Sequence, residues 1–247
     1  MSRWLRGFST VLIVAGALLV IDAALTLIWQ EPVSAFIAHR EQGRLDDRLR
    51  ELERRRPSVL EQRALATLPD ARRRIAFLAR ALRRHAHGGD ALGRIRIPKI
   101  GKSYVVVDGT ATADLRKGPG FYEQTPLPGV PGTTAIAGHR TTYLAPFRHI
   151  DRLAHGDPIV IEMPYGRFTY AVEKRQIVDS KALWVINRVG HDRLVLTACH
   201  PLYSAARRIV VFARLRKIVP LGAARRSGGR TLVEHPPATS GVKGSGR

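Results

Sequence analysis

Apolar residues run along the chain in three textures. From Val11 to Trp29 they are almost unbroken, with Asp22 the one ionisable residue among the 19. At about 1.5 Å per residue such a helix is roughly 28 Å long, close to a bilayer core. The run predicts a transmembrane signal-anchor helix over 11–29, after a short N-terminus at 1–10. Between Val33 and His87 the apolar positions fall at helical spacing, with Leu45, Leu49 and Leu52 on one face and Ile75, Leu78 and Leu82 on another. Pro57 and Leu68-Pro69 interrupt that pattern, which predicts two or three amphipathic helices forming a stalk over 30–90. After Gly88-Gly89 the helical period disappears. Short β-rich runs follow between Gly and Pro turns: Arg94–Ile97, Tyr104–Val107, Thr133–Ala137, Pro158–Glu162, Arg167–Val172, Gln176–Val178, Arg193–Thr197 and Arg208–Leu215. About eight strands in about 125 residues predict a mainly β domain over 91–218, a barrel or a sandwich. Beyond it, 219–247 is rich in Gly, Ser, Pro and Arg and is expected to be a disordered basic tail.

The flanks of the first run set an orientation. Arg3 and Arg6 precede it and Glu31 follows it, so the positive-inside rule places the N-terminus in the cytoplasm and the β domain outside. A cleaved signal peptide is the alternative, since Ala15-Gly16-Ala17 and Asp22-Ala23-Ala24 offer small residues, but the run is longer than a signal h-region.

Charge adds less than its size suggests. The 247 residues carry 41 Lys and Arg against 20 Asp and Glu, a net charge of +21, which favours anionic partners. The excess is spread over every outward-facing part, however, and no nucleic-acid-binding signature accompanies it. The triplets Arg54-Arg55-Arg56 and Arg72-Arg73-Arg74 read either as adhesive to anionic head groups or as a solvated helix face.

Cysteine content is more informative. The one cysteine, Cys199, excludes an intramolecular disulfide and any site that needs two thiolates. With the acids scattered, no metal and no cofactor is expected. Cys199 closes the apolar strand Leu194-Val195-Leu196-Thr197-Ala198 and precedes His200-Pro201, so it lies where a strand leaves the sheet, a rigid and accessible place for a nucleophile. A thiol needs a partner that generates its thiolate. His139, after the β-run Thr133–Ala137 and Gly138, is the strongest candidate; His200, adjacent on the strand, points to the other face. Attack on an amide carbonyl develops an oxyanion, which a guanidinium stabilises. Arg208 suits that task, with neighbouring Arg207 the alternative.

These residues resemble the sortases. The resemblance covers roughly 91–216 and rests on Leu92-Gly93-Arg94-Ile95-Arg96-Ile97-Pro98-Lys99-Ile100, Gly118-Pro119-Gly120, Pro128-Gly129, Ala137-Gly138-His139-Arg140-Thr141-Thr142-Tyr143 with Pro146-Phe147, Gly156-Asp157, Leu196-Thr197-Ala198-Cys199-His200-Pro201 and Arg208-Ile209-Val210-Val211. Cys-x-Pro together with the histidine loop is most similar to class E sortases of high-GC actinobacteria. The resemblance implies a closed eight-stranded β-barrel and cysteine transpeptidation, with His139 as general acid/base, Cys199 as nucleophile and Arg208 as substrate and oxyanion stabiliser. It implies cleavage of a C-terminal LAxTG- or LPxTG-like sorting signal between Thr and Gly, a thioester intermediate, and transfer to an amine of a cell-wall precursor. Thr141, Tyr143, Thr197 and Ala198 are the expected substrate contacts. The partners implied are secreted proteins bearing that signal, the precursor amine and the membrane, with no nucleic acid. The chain departs from the family's TLxTC pattern, because Val195 and Ala198 stand where threonines are usual. Two alternatives are a pilin-polymerising sortase, disfavoured because neither an Asp-x-aromatic lid motif nor a C-terminal membrane helix is visible, and a non-catalytic module that binds sorting signals or wall polymers.

Overall fold

A computed structural model describes residues 2–28, 32–225 and 232–233. Helix α1 (Ser2–Ile28) is followed by α2 (Pro32–Arg54), α3 (Val59–Thr67) and α4 (Ala71–His85). Among the described residues no helix is long and apolar enough to cross a membrane. The expected span 11–29 lies partly outside them, at residue 29 and at the side chains of 22–28.

Helix starts follow the local chemistry. Ser58 caps α3 by accepting from the Glu61 N–H (3.2 Å), while the Glu61 carboxylate accepts from the Ser58 N–H (2.8 Å). This reciprocal pair satisfies two N–H groups that the first turn leaves free. Asp70 caps α4 in the same way through the Arg73 N–H (2.8 Å), and Pro57 and Pro69 just ahead of the caps keep the helices separate.

The β domain consists of β1 (Ala91–Ile97), β2 (Lys102–Asp108), β3 (Gly120–Phe121), β4 (Thr133–Ala137), β5 (Pro158–Met163), β6 (Gly166–Asp179), β7 (Arg193–His200) and β8 (Arg207–Pro220), with a short helix α5 (Thr112–Leu115) between β2 and β3. They hydrogen-bond in the order β6-β5-β1-β2-β3-β4-β7-β8, and β6 also pairs with β8, which closes the eight-stranded barrel. A two-residue strand, β9 (Leu232–Val233), adds to β8 outside that ring. The pairs β2–β3 and β4–β7 are parallel and the others antiparallel. The predicted runs 167–172 and 176–178 are one continuous strand, β6, bent by register shifts at Thr169/Tyr170 and Val172/Lys174. Strand β3, two residues long, restores the count to eight.

Alternation divides the side chains of β4, β7 and β8 between two cores. Ile136, Leu194, Leu196, Ala198, Ile209 and Val211 point into the barrel with Phe121 and Phe168. Ala135, Val195, Val210 and Phe212 point outward and pack with Val178 and Val185 as a second cluster, covered by Tyr122, Ala182 and Ile186.

The helices expected as a stalk lie on the barrel. Leu45 and Leu49 of α2 are buried against Ala91, Val105 and Val107, each such burial being worth about 1.5–3 kcal/mol. Gln42 donates to the carbonyls of Val105 (3.1 Å) and Lys117 (2.8 Å) and accepts from the Val105 N–H (2.8 Å), standing in for a neighbouring strand. Helix α4 sends Ile75 and Ala79 into the main core. Ile75 packs over Gly129, whose φ of +96° suits glycine and whose missing Cβ would lie 2.2 Å from the Ile75 methyl. Arg94–Asp46 and Arg83–Asp108 ion pairs fasten α2 and α4 further. Order continues past 218 through the end of β8 to a turn at Gly222–Ala224, where the Ala224 carbonyl accepts from buried Arg74 of α4 (3.1 Å).

Candidate active site

Cys199 is the penultimate residue of β7 and is half-buried. Across the antiparallel ladder it faces Arg208 of β8, and Arg208 in turn faces Val178 of β6. Directly opposed residues share a face with Cβ atoms about 5 Å apart, so Cys199 and Arg208 stand together on the outer face, beside the cleft that Arg208 lines with Val178, Thr197 and Val210. Arg207 belongs to the opposite face and pairs with His200; this separates the two arginines that the sequence left as alternatives.

The third residue arrives from the other side of β7. Strand β4 runs parallel to it, with Ala137 beside Thr197. The ladder continues one step further through the Gly138 N–H donating to the Thr197 carbonyl (3.0 Å), which brings His139 to the level of Cys199. Gly138 is required by packing, since a Cβ there would meet the Phe147 ring at 2.6 Å. Phe147 itself returns to donate its N–H to the His139 carbonyl (3.0 Å), closing the loop 139–147.

Within that loop Tyr143, Leu144 and Ala145 all have φ between +40° and +64°. Consecutive non-glycine residues rarely hold this conformation, at about 1–2 kcal/mol each. Their turn sets the Tyr143 ring 5.2 Å from the His139 ring, with the Arg116 guanidinium 5.8 Å from the Tyr143 centroid. Burial, and secondly the charge of Arg116, hold the His139 imidazole below its ordinary range, so it rests neutral at pH 7. His139 Nε2 is buried and has no hydrogen-bond partner among the described residues. A neutral imidazole with an open nitrogen can accept a thiol proton and return it.

Arg208 lines a cleft with Tyr122, Val178, Leu183, Val185 and Thr197, and its guanidinium donates to the carbonyls of Ala205 (2.9 Å) and Arg207 (3.1 Å). One wall of the cleft, the turn Leu183–Ile186, is held down by Arg193 donating to the Val185 (3.0 Å) and Asn187 (2.9 Å) carbonyls and by Trp184 stacked 6.4 Å from Phe212.

The expected substrate contacts separate. Thr197 faces the cleft, its hydroxyl bonded to that of Tyr122 (2.9 Å), and Tyr143 lies against His139. Thr141 is half-buried in the same loop. Ala198 points into the barrel core, away from the cleft, because strand residues alternate. Tyr122 and Arg140 escaped the sequence reading. Tyr122 follows the two-residue strand β3, too short to show a face, and Arg140 resembles any loop arginine until its burial is known.

Known proteins resemble this chain in sequence and fold. The Sortase domain family matches residues 95–216. Sortase D of Bacillus subtilis is 34% identical over 131 residues, 51% of this chain and 64% of that protein, so the match spans less than two thirds of that curated relative. The solved sortase E of Streptomyces avermitilis is 32% identical with a TM-score of 0.51, covering 57% of this chain and 97% of that one. Sortase E1 of Streptomyces coelicolor, solved with a tripeptide in its active site, is 26% identical with a TM-score of 0.52, covering 55% and 93%. On the family match, and on identity across nearly the whole of a solved sortase E, the chain belongs to the sortase family, whose members are cysteine transpeptidases.

Proposed function

We propose that the protein is a membrane-anchored, class E-like cysteine transpeptidase acting on a C-terminal LAxTG- or LPxTG-like sorting signal. The observation that carries the reading is the placement of Cys199 opposite Arg208 and level with His139. Neutral His139 takes the Cys199 thiol proton as Sγ attacks the Thr carbonyl carbon. The developing oxyanion is met by Arg208, whose donors turn from the Ala205 and Arg207 carbonyls to the substrate. The C–N bond to Gly breaks as His139 returns the proton to the leaving amine, and a thioester remains. An amine of a cell-wall precursor then attacks the thioester, and the Cys199 thiol is regenerated.

The tripeptide held in the active site of the Streptomyces coelicolor sortase E1 supports a peptide substrate here. Thr141, Tyr143 and Thr197 are the side chains we assign to its recognition. Helix α1 is the proposed anchor, with its N-terminus cytoplasmic and the barrel on the outer face. Its described side chains from Val11 to Ile21 are all exposed, so their apolar surface has no partner among the described residues.

Incubating the protein with an LAxTG-containing peptide and a small amine tests the reading. The expected product is the peptide cleaved after Thr and joined to the amine. An intact peptide after long incubation contradicts it.

A further inference from the structure

Arg140 directly follows His139, yet it is only 3% exposed. A guanidinium removed from water persists only when its donors are satisfied. Nε and Nη2 donate to the Arg148 carbonyl (3.4 and 3.2 Å). Nη1 donates to the Cys199 carbonyl (3.4 Å) and to His200 Nδ1 (3.1 Å), and Nη2 lies 3.4 Å from the Asp151 carboxylate.

These acceptors belong to two different segments. Arg148 and Asp151 lie just past the loop 139–147, Asp151 in the turn Ile150–Arg152, while Cys199 and His200 end β7. A guanidinium donates and never accepts, so His200 meets it with a bare Nδ1. One rigid, planar group therefore binds the start of the histidine loop, through its own backbone, to the segment just past that loop and to the peptide unit carrying the nucleophile.

We propose that Arg140 is the positioning residue that sets the separation and angle between His139 and Cys199. The inference rests on the reading of Cys199 as nucleophile and His139 as its proton acceptor. Arg140 acts through the backbone on either side of those residues and touches no substrate. Lysine cannot replace it, because one ammonium cannot reach two carbonyls, an imidazole and a carboxylate in four directions.

The test uses Arg140→Ala and Arg140→Lys in the full chain. It compares the rate of thioester formation, KM for an LAxTG peptide, alkylation of Cys199 by iodoacetamide and the thermal midpoint. Misplacement of a reacting pair by about 1 Å costs roughly 10²-fold, so both variants are expected to lose about that much in acylation. KM should stay within about twofold, because ground-state binding is untouched. Alkylation draws on the same Cys199 thiolate and is expected to slow along with acylation. Guanidinium ion at millimolar, non-denaturing concentration should partly restore the Ala variant and leave the Lys variant unaffected. Acylation by Arg140→Lys at the wild-type rate overturns the proposal, as does a loss that simply tracks the unfolded fraction. If the Ala variant does not fold, the Lys variant decides. Turnover by Cys199→Ala would instead remove the nucleophile assignment on which the inference rests.

Discussion

Ala198 and Cys199 are consecutive, yet one lines the barrel interior and the other stands on the outer face. The missing hydroxyl at 198 therefore does not open a gap beside the nucleophile. Ala198→Thr is expected to place a hydroxyl in an apolar core, at about 1–3 kcal/mol. Chemical denaturation should show that loss while thioester formation by the folded protein keeps its rate. Val195, by contrast, is buried in the outer cluster beneath the cleft. At Arg208, removing the guanidinium is expected to lower the acylation rate by about 10²–10³-fold, the usual cost of an oxyanion donor, and single-turnover kinetics measure it. The lowered pKa of His139 has a definite sign. Its neutral form persists as pH falls, so the acid limb of kcat/KM is expected below about 6.5, the unperturbed imidazole value. Arg116→Ala removes one of the two causes of that depression and should move the limb upward. A wild-type limb near pH 7.5 would contradict a neutral resting imidazole. Residue types and order at the site were legible in the sequence because a lone thiol, a histidine after a β-run and a following arginine limit the choices. Pairing register was not, and only register distinguishes Arg208 from Arg207.

Among the elements, legibility followed length and periodicity. Strand β4 coincides with its apolar run, and β7 and β8 contain theirs. Strand β6 reads as two pieces because its bulges shift the alternation, and β3 has too few residues to alternate at all. The amphipathic pattern of α2 and α4 was visible, but not the surface that covers it. Docking of α2 depends on a polar residue that no hydrophobic pattern exposes: Gln42, bound to three backbone groups of β2 and the segment before β3. Gln42→Ala would leave those groups without that partner, at about 1–3 kcal/mol for an orphaned buried group. The midpoint of urea unfolding is expected to fall accordingly, while the site, on other strands, keeps its activity in the folded fraction.

At the scale of the molecule, the helices and the barrel share one structure. Removing 30–85 would strip the cover from Ala91, Val105 and Val107 and take Ile75 and Ala79 from the core. The shortened protein is expected to aggregate or melt at markedly lower temperature rather than to gain activity, and light scattering with a thermal melt separates these outcomes. The net charge of +21 is likewise partly structural. Arg74, Arg83, Arg94 and Arg140 each bind backbone carbonyls or carboxylates between distant elements, whereas Arg54, Arg55 and Arg56 are exposed. The account as a whole depends on Cys199. Intact-mass measurement of the protein mixed with an LAxTG peptide, without an acceptor amine, tests it most directly. A single adduct equal to the peptide up to Thr, absent in a folded Cys199→Ala variant, is the predicted result; the same adduct or undiminished cleavage in that variant would contradict it.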